Sequence, residues 1–283
     1  MSYYSFFNLA EDPFIKNYMI GKQSFQSRDH DNAITQMNRS VERNGFCVIT
    51  GNSGGGKSHI VGRFLDSLDS IRHTKISIQP GCIPPTDFYK EILMSLRLDP
   101  SGRLQTVRRS VKSHFLDYYR RGKPVVLVVN EAQELQMKVF RELRNLLSYE
   151  NDNLDVLALI LVGEPALATI IDEGEGLGSL KGRVTNHYTF YDLKDSEVRA
   201  YVNHKLSLAG GTDLIVDESA MALLCESSRG MPREIDQLMS DALAFAAQNG
   251  RPNINSEIMQ FVIDNRSLVK HTKGDPENAH LPL

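Results

Sequence analysis

One glycine-rich segment has the residue types and the spacing of a phosphate-binding loop. It matches the pattern G-x-x-x-x-G-K-[ST] and consists of Gly51, Asn52, Ser53, Gly54, Gly55, Gly56, Lys57 and Ser58. Glycines allow successive backbone N–H groups to surround an anion, and the N-terminus of a following helix adds positive potential. In such a loop the lysine reaches the β- and γ-phosphates of ATP, and the serine hydroxyl binds Mg²⁺. The segment therefore predicts a site for ATP and Mg²⁺.

The same segment also fits a second motif, in which a serine acts as a nucleophile. Gly51-Asn-Ser-Gly-Gly55 matches G-x-S-x-G, the strand-to-helix turn of α/β-hydrolases, with Ser53 as the nucleophile. That fold needs an acid and then a histidine farther along the chain. His187 and His204 are available, but neither follows a recognisable acid at a strand end. The hydrolase interpretation also gives no role to the Lys-Ser pair, and it stays as the alternative.

A second group of candidate residues follows an apolar run in the middle of the chain. The run Val125–Val129 leads into Asn130 and Glu131. P-loop ATPases carry at this point an acid that orders Mg²⁺, followed in one large class by a glutamate that activates water. Glu131 is therefore predicted to be the general base. Asn130 can hydrogen-bond a water on Mg²⁺ but brings no charge, so weaker metal binding is expected. Alternatively, Asn130 only caps the next helix.

Two arginines have the chemistry for contacts with phosphate. Arg183 precedes a short predicted strand, His187–Phe190, and Arg233 follows Pro232 at the start of a predicted helix. The guanidinium group is planar, always charged and able to make two parallel hydrogen bonds to phosphate. Taken alone, each arginine would be an ordinary surface charge.

The elements that would position these residues alternate between strand and helix. Continuous apolar runs at Phe46–Thr50, Val125–Val129 and Val156–Val162 are typical of strands covered on both faces, and a weaker strand is predicted at Lys75–Ile78. Helical spacing lies between them, which predicts a parallel sheet in an α/β layer fold. After about residue 191 only helical patterns remain, so a helical bundle is expected there.

The composition is that of an ordinary globular protein. Of the 283 residues, 41% are hydrophobic and 24% are charged, which is enough to bury a full core. The formal net charge of −3 gives no global attraction for nucleic acid, so DNA contact would need a local basic patch. The 3 cysteines form no CxxC pair, which argues against a disulfide framework or a zinc knuckle. With no signal peptide and no apolar run long enough for a bilayer, a cytoplasmic location without membrane contact is predicted.

One segment provides such a basic patch. Its basic residues surround the single acid Asp117, with Phe115, Tyr118 and Tyr119 between them. They are Arg103, Arg108, Arg109, Lys112, Arg120, Arg121 and Lys123. This excess suits contact with the phosphates of duplex DNA, and binding should be largely independent of sequence because no base-reading motif accompanies it. The alternative is a solvated helix face whose aromatic side chains belong to the core.

Together these motifs resemble those of AAA+ ATPases, specifically the ExeA/TnsC-like branch. That branch includes transposon-encoded TnsC, TniB and MuB relatives and the secretion ATPase GspA/ExeA. The matching segments span about residues 3–265. They are Phe6-Phe7-Asn8-Leu9 with Pro13-Phe14, Gly51–Ser58, Glu131-Ala132-Gln133, Leu161–Leu167, Gly182-Arg183-Val184 and Gly230–Ile235. The resemblance implies a three-layer AAA+ P-loop fold with a parallel sheet, followed by a small helical lid.

This fold predicts four segments along the chain. An extended arm that packs on a core is expected over residues 1–30, and the AAA+ core over residues 31–191. The helical lid would follow at residues 192–268, and a polar, disordered tail at residues 269–283.

The resemblance also implies roles for individual residues. Lys57 and Ser58 would bind phosphate and Mg²⁺, and Glu131 would be the catalytic base. Arg233 would be the sensor-2 arginine of the lid. Arg183 would be the arginine finger that reaches the nucleotide of a neighbouring subunit, which implies self-association coupled to ATP.

Two residues depart from the family pattern. Asn130 stands where the family usually has Asp, and Glu164 stands where it usually has Gln. In the AAA+ strand order, the strand that ends at Glu164 lies between the phosphate-loop strand and the Asn130 strand. We therefore hypothesise that Glu164 acts in the catalytic site and partly replaces the carboxylate missing at position 130. The alternative is a weakened ATPase.

Three alternative functions are predicted from this combination, in order of preference. The first is an ATP-dependent regulator of transposition that assembles on duplex DNA as a ring or helical filament and recruits or activates a transposase. The second is a secretion-associated ATPase of the GspA/ExeA type, whose members continue into a membrane span and a peptidoglycan-binding domain. The third is a scaffold that binds ATP and assembles but hardly hydrolyses, for which Asn130 is the argument.

Overall fold

The computed structural model describes residues 2–15, 25–149 and 154–266, and it divides into two compact units. One unit consists of residues 26–192, and the other of the residues up to 25 together with those from 193 onward. The segment expected to be an arm, residues 1–30, is thus shared between the units. The expected tail, residues 269–283, lies outside the described residues.

The larger unit is built on a parallel sheet with the strand order β2-β3-β4-β1-β5. The strands are β1 (Phe46–Gly51), β2 (Thr74–Ile78), β3 (Val125–Val129), β4 (Leu157–Gly163) and β5 (Val184–Phe190). Three of them, β1, β3 and β4, are buried along their whole length. The predicted parallel α/β layer fold is confirmed.

Helices connect the strands and form the second unit. In chain order they are α1 (Tyr3–Phe6), α2 (Arg28–Glu42), α3 (Lys57–Ser67), α4 (Pro85–Ser95), α5 (Leu104–Arg120), α6 (Met137–Leu147), α7 (Ala166–Glu173), α8 (Gly178–Lys181), α9 (Asp195–Leu208), α10 (Glu218–Ser228), α11 (Pro232–Gln248) and α12 (Ser256–Asn265). In the described parts of the chain, none of these helices combines the length and the apolar character needed to cross a bilayer.

Alternate residues of each central strand face opposite layers of the larger unit, as the two-residue period of a strand requires. Val48 of β1 belongs to a buried cluster that includes Phe115 of α5. Its neighbour Ile49 belongs to a separate cluster with Met37 of α2 and Phe64 of α3. Helices therefore cover both faces of the sheet, which explains why its strands are apolar without alternation.

The element boundaries differ from the sequence prediction where local turns intervene. Ala132–Glu134 forms a separate 3-10 turn after β3, and α6 begins only at Met137. α7 and α8 were not predicted, because eight and four residues are too few to display a helical period. The arm is not extended throughout, since Tyr3–Phe6 forms one helical turn.

The arm and the C-terminal helices share one apolar core. Phe7, Leu9 and Phe14 are buried in the same cluster as Val202 of α9 and Leu243 of α11. These three side chains therefore pack on the core of the helical unit.

A buried ion pair reinforces this packing. Lys205 of α9 is 2% exposed and donates to Asp236 Oδ1 of α11 at 2.7 Å. Its ammonium also lies 5.5 Å from the ring centroid of Phe14 and 5.0 Å from that of Tyr201. Burial lowers the pKa of Lys205, and Asp236 opposes that shift. Removal of one partner of such a pair typically costs about 3–5 kcal/mol.

Candidate functional site

The glycine-rich segment forms the connection between β1 and α3. Gly54 and Gly56 have φ angles of +78° and +96°, which residues with a Cβ rarely adopt. Gly56 directly precedes α3. The loop is therefore joined to the positive end of the dipole of α3, where free backbone N–H groups attract anions.

Lys57 is folded into this loop. Its Nζ donates to the main-chain oxygens of Gly51 and Asn52, both at 2.8 Å. The residue is 7% exposed, although it carries a charge. The ammonium is thus held inside the concave side of the loop by two neutral carbonyl oxygens.

Two side chains outside the motif lie against the loop. Asn52 Nδ2 donates to Asp192 Oδ2 at 2.6 Å, and a Cβ on Gly55 would lie 3.3 Å from Asp192 Oδ1. A Cβ on Gly56 would lie 3.9 Å from His30 Nε2. Neither Asp192 nor His30 belongs to a motif of the sequence. Asp192 could have been found from its position two residues after β5, because the carboxyl ends of parallel strands lie at the same edge of the sheet as the loop.

The two histidines of the hydrolase alternative have other neighbours. His187 lies on β5 with its Nε2 3.2 Å from Thr50 Oγ1. His204 belongs to the helical unit, where its ring centroid lies 5.9 Å from that of Phe25. These positions give no support to Ser53 as a nucleophile.

The carboxyl ends of β1, β4 and β3 lie side by side. Thr50 of β1 pairs with Gly163 of β4, and Val129 of β3 pairs with β4 two residues earlier. The phosphate loop, Glu164 and Asn130 therefore all follow strand ends at one edge of the sheet. The strand order on which the Glu164 hypothesis depends is confirmed.

Asn130 is fixed to β2 but keeps one oxygen without a partner. Its N–H donates to Ile78 O at 2.8 Å, and its Nδ2 donates to Ser77 Oγ at 3.0 Å. Its Oδ1 is buried and accepts no hydrogen bond from the described residues. Because an unpaired buried acceptor is costly, this oxygen is suited to a ligand that would satisfy it.

Glu131 occupies a strained position just beyond β3. Its φ of +49° lies in the left-handed region, which is uncommon for a residue with a side chain. The carboxylate Oε2 accepts a hydrogen bond from Gln133 Nε2 at 2.8 Å. Gln133 Oε1 in turn accepts from the backbone N–H of Glu164 at 3.0 Å. The predicted base is therefore linked to the end of β4 through Gln133, the last residue of the Glu131-Ala132-Gln133 motif.

The two arginines lie in different units. Arg183 precedes β5 in the larger unit and donates to Leu147 O at 3.4 Å and to Ser148 Oγ at 3.2 Å. Arg233 is an exposed residue in the first turn of α11, in the helical unit.

The glycine of the Gly-Met-Pro-Arg segment is required by its surroundings. Gly230 has a φ of +75°, and a Cβ there would lie 1.9 Å from Leu193 O. The Leu193 N–H donates to Gly230 O at 2.9 Å. Only glycine permits this close approach of two backbones, so the segment before Arg233 is hydrogen-bonded to the start of the helical unit at Leu193.

The basic segment is α5 with its flanking residues, and its side chains separate into two groups. Arg108 donates to Glu142 Oε1 at 2.8 Å, and Lys112 donates to Asn145 O at 3.0 Å, so both are engaged with α6. The exposed members are Arg103, Arg109, Arg120 and Arg121, whereas Lys123 is half-buried. The aromatic residues Phe115, Tyr118 and Tyr119 all pack on the core. The aromatic side chains thus belong to the core, as the alternative of a solvated helix face predicts. The exposed arginines are still placed where they could contact DNA phosphates.

Comparisons with known proteins agree with the α/β P-loop fold. A family model described as an AAA domain matches residues 39–171. The chain is similar to General secretion pathway protein A of Aeromonas hydrophila, with 29% identity over 255 residues. This match covers 89% of the chain and 46% of the relative, so the chain spans about half the length of that protein.

Similar solved structures include proteins of the ORC group. The ORC2 protein of Aeropyrum pernix, in ADPNP-ADP complexes, matches with a TM-score of 0.67 at 12% identity, over 92% of this chain and 72% of that chain. Drosophila ORC bound to DNA matches with a TM-score of 0.65 at 14% identity, over 90% of this chain and 64% of that chain. At identities this low, the similarity establishes the fold alone.

Proposed function

We propose that the chain binds and hydrolyses ATP, because it has the AAA+ P-loop fold and a family model described as an AAA domain matches residues 39–171. The observation that carries the proposal is Lys57, a buried ammonium bonded to two loop carbonyls at the N-terminus of α3. Phosphate oxygens can replace those carbonyls as acceptors and bring a stronger, charge-assisted hydrogen bond. A relative in fold, the ORC2 protein, has been solved in complexes with ADPNP and ADP.

Hydrolysis would use Glu131 as the general base. Two oxygens are suited to Mg²⁺ or to its bound water: that of Ser58, and Oδ1 of Asn130, which accepts no hydrogen bond within the described part of the chain. When bound, Mg²⁺ neutralises charge on the phosphates. Because Asn130 brings no charge to the metal, we expect slow turnover and weak binding of Mg²⁺.

The direct test is the replacement of Lys57. Lys57→Ala should abolish binding of a fluorescent ATP analogue, because it removes the fixed cation aimed at the β- and γ-phosphates. Lys138→Ala, an exposed lysine on α6, is the matched control and should bind as the wild type does. Unchanged affinity in Lys57→Ala would overturn the assignment of the site.

For the cellular role, we propose that ATP drives self-association into rings or helical filaments on duplex DNA, which then recruit or activate a transposase. Arg183, just before β5, is the candidate finger in trans, and Arg233 is the candidate sensor of the bound nucleotide. Exposed Arg103, Arg109 and Arg120 supply charge for phosphate contacts. The transposase partner rests on the resemblance in sequence alone and stays a prediction. Drosophila ORC, which is similar in fold, has been solved bound to DNA.

A secretion-associated ATPase is the second candidate, favoured by the 29% identity to General secretion pathway protein A. Sedimentation and negative-stain imaging, with and without ATP and duplex DNA at two salt concentrations, separate the two candidates. ATP-dependent assemblies on DNA would support the first. A protein that ignores DNA at low salt would favour the second. Assembly with ATP but without measurable turnover would favour the scaffold.

A further inference from the structure

We infer that Gln133 is a positioning residue for ATP hydrolysis: it holds the carboxylate of Glu131 and anchors it to the backbone at the end of β4. This inference rests on the proposed function and deepens it, because it adds a residue to the machinery of the same site. It is carried by two hydrogen bonds, one close backbone approach and one turn.

The orientation of the Gln133 amide follows from its two partners. The Glu164 N–H can only donate, so the group 3.0 Å from it must be the acceptor Oε1. The other end of the amide, Nε2, is then left to donate to the carboxylate of Glu131, at 2.8 Å. The backbone donor therefore fixes which end of Gln133 meets the base.

The turn that carries Gln133 is itself anchored. Glu134 N donates to Glu131 O at 2.9 Å and closes the 3-10 turn. Ala132, which lies between Glu131 and Gln133 in the chain, is fully buried and anchors the turn in the core. A side chain that is already ordered loses little entropy when it holds a catalytic group.

Gly163 provides the room for this bridge. A Cβ at position 163 would lie 2.4 Å from Gln133 Oε1 and 3.0 Å from Leu167 Cδ2. Since β4 lies between β1 and β3, its end also adjoins the strand that leads into the phosphate loop. A displacement at the end of β4 would reach Glu131 through Gln133.

Replacement of Gln133 should lower kcat and leave ATP binding intact. Gln133→Met keeps the volume but removes both hydrogen bonds, and we expect a loss in kcat of about 10- to 100-fold with the Kd and KM for ATP unchanged. Gln133→His, which can both donate and accept, should recover part of the loss. Gln136→Ala, in the same connection, is the matched control and should keep the wild-type kcat.

A double-mutant cycle distinguishes positioning from a general structural effect. Gly163→Ala should lower kcat because its methyl group displaces the Gln133 side chain. In the Gln133→Ala background that methyl group meets no amide and contacts only the Leu167 side chain, so the kcat of the double variant should be close to that of Gln133→Ala. Thermal melts of all variants check the fold, and the Gln133→Met arm stands even if Gly163→Ala does not fold.

Hydrogen exchange gives a readout that does not depend on catalysis. The Glu164 amide should exchange faster in Gln133→Met than in the wild type, because its acceptor is gone. Measurable wild-type hydrolysis with an unchanged kcat in Gln133→Met would overturn this inference alone. A wild-type protein that hydrolyses no ATP would overturn the proposed hydrolysis and, with it, the role of Gln133.

Discussion

Asn130 is hydrogen-bonded to Ser77 of the neighbouring strand β2: its Nδ2 donates to the serine Oγ at 3.0 Å, and its Oδ1 is buried and accepts no hydrogen bond from the residues that the structure describes. The neighbouring strand β2 thus orients the amide, and its acceptor oxygen Oδ1 can take a hydrogen bond from a ligand. A carboxylate could take the same place, since the Ser77 hydroxyl can donate as well as accept.

Asn130→Asp should raise ATP turnover. The carboxylate adds the negative charge that Mg²⁺ prefers, and Ser77 can hold it in place. We expect a gain in kcat of about tenfold, or about 1.4 kcal/mol in the barrier, together with a lower Mg²⁺ requirement. Phosphate release measured across a Mg²⁺ titration checks this. Brisk wild-type turnover with no gain in Asn130→Asp would contradict the idea of a weakened metal site.

Glu131→Gln should remove the residual activity, since the amide cannot accept a proton from water. A general base typically contributes about 10²–10⁴ to the rate. Binding of ATP should persist, which separates this variant from Lys57→Ala.

Glu164→Gln tests the compensation hypothesis in the same assay. If Glu164 supplies part of the missing charge, this variant should need more Mg²⁺, and a wild-type Mg²⁺ dependence would count against it.

Arg183→Ala should weaken assembly at saturating ATP. If Arg183 reaches the γ-phosphate of a neighbouring subunit, its loss removes a contact between subunits but not the nucleotide site itself. Sedimentation velocity with a non-hydrolysable analogue measures this directly. Arg72→Ala, an arginine whose side chain is 80% exposed, is the control. Equal assembly of wild type and Arg183→Ala would remove this arginine from the interface.

Replacement of the exposed arginines of the basic segment should weaken DNA binding equally for all sequences. If Arg109, Arg120 and Arg121 each bind one phosphate, each replacement by alanine should reduce the slope of log K against log salt by about 0.9. Arg108→Ala is the contrasting variant, because Arg108 is paired with Glu142 in the larger unit. It should lower the melting temperature and leave the salt slope unchanged. Fluorescence anisotropy with two unrelated duplexes provides the measurement.

His30→Gln should make the protein less sensitive to acid. Burial lowers the pKa of His30 from 6.5 to about 4, and the neighbouring charges of His59 and Arg63 contribute. The unfolded chain therefore takes up a proton near pH 6.5, whereas the folded chain does so only near pH 4. Protonation favours unfolding in this range, and the free energy of unfolding falls as the pH drops from 6.5 to 4.

Glutamine suits this substitution because it is a capping-box residue. The Ser27 N–H donates to His30 Nδ1 at 3.0 Å, and a glutamine oxygen can accept the same bond. Between pH 6.5 and pH 4, protonation of His30 should lower the free energy of unfolding by about 3 kcal/mol. Urea unfolding of the wild type and of His30→Gln at several pH values should show this loss in the wild type alone. Near pH 8, where His30 is neutral in both the folded and the unfolded state, the two proteins should show the same dependence on pH. Parallel curves over the whole range would contradict the assignment.

The phosphate loop, the central strands and the α/β class could be predicted because each is encoded by neighbours in the chain. The loop is a contiguous motif, and Val125–Val129 is apolar throughout because both of its faces are covered. α7 and α8 could not be predicted, since they are too short to display a period. Nor could the start of α6, because the 3-10 turn at Ala132–Glu134 depends on packing of Ala132 in the core.

The sequence by itself determined that Lys57, Asn130 and Glu131 follow strands of one parallel sheet, because local apolar runs specify buried strands and parallel strands share one carboxyl edge. Only the tertiary structure decided which side chains meet there. Gln133 bridges Glu131 to an amide 31 residues farther along the chain, and Arg108 turns toward a carboxylate 34 residues away. Such contacts depend on how strands and helices pack side by side, and the spacing of residues along one element does not specify that arrangement.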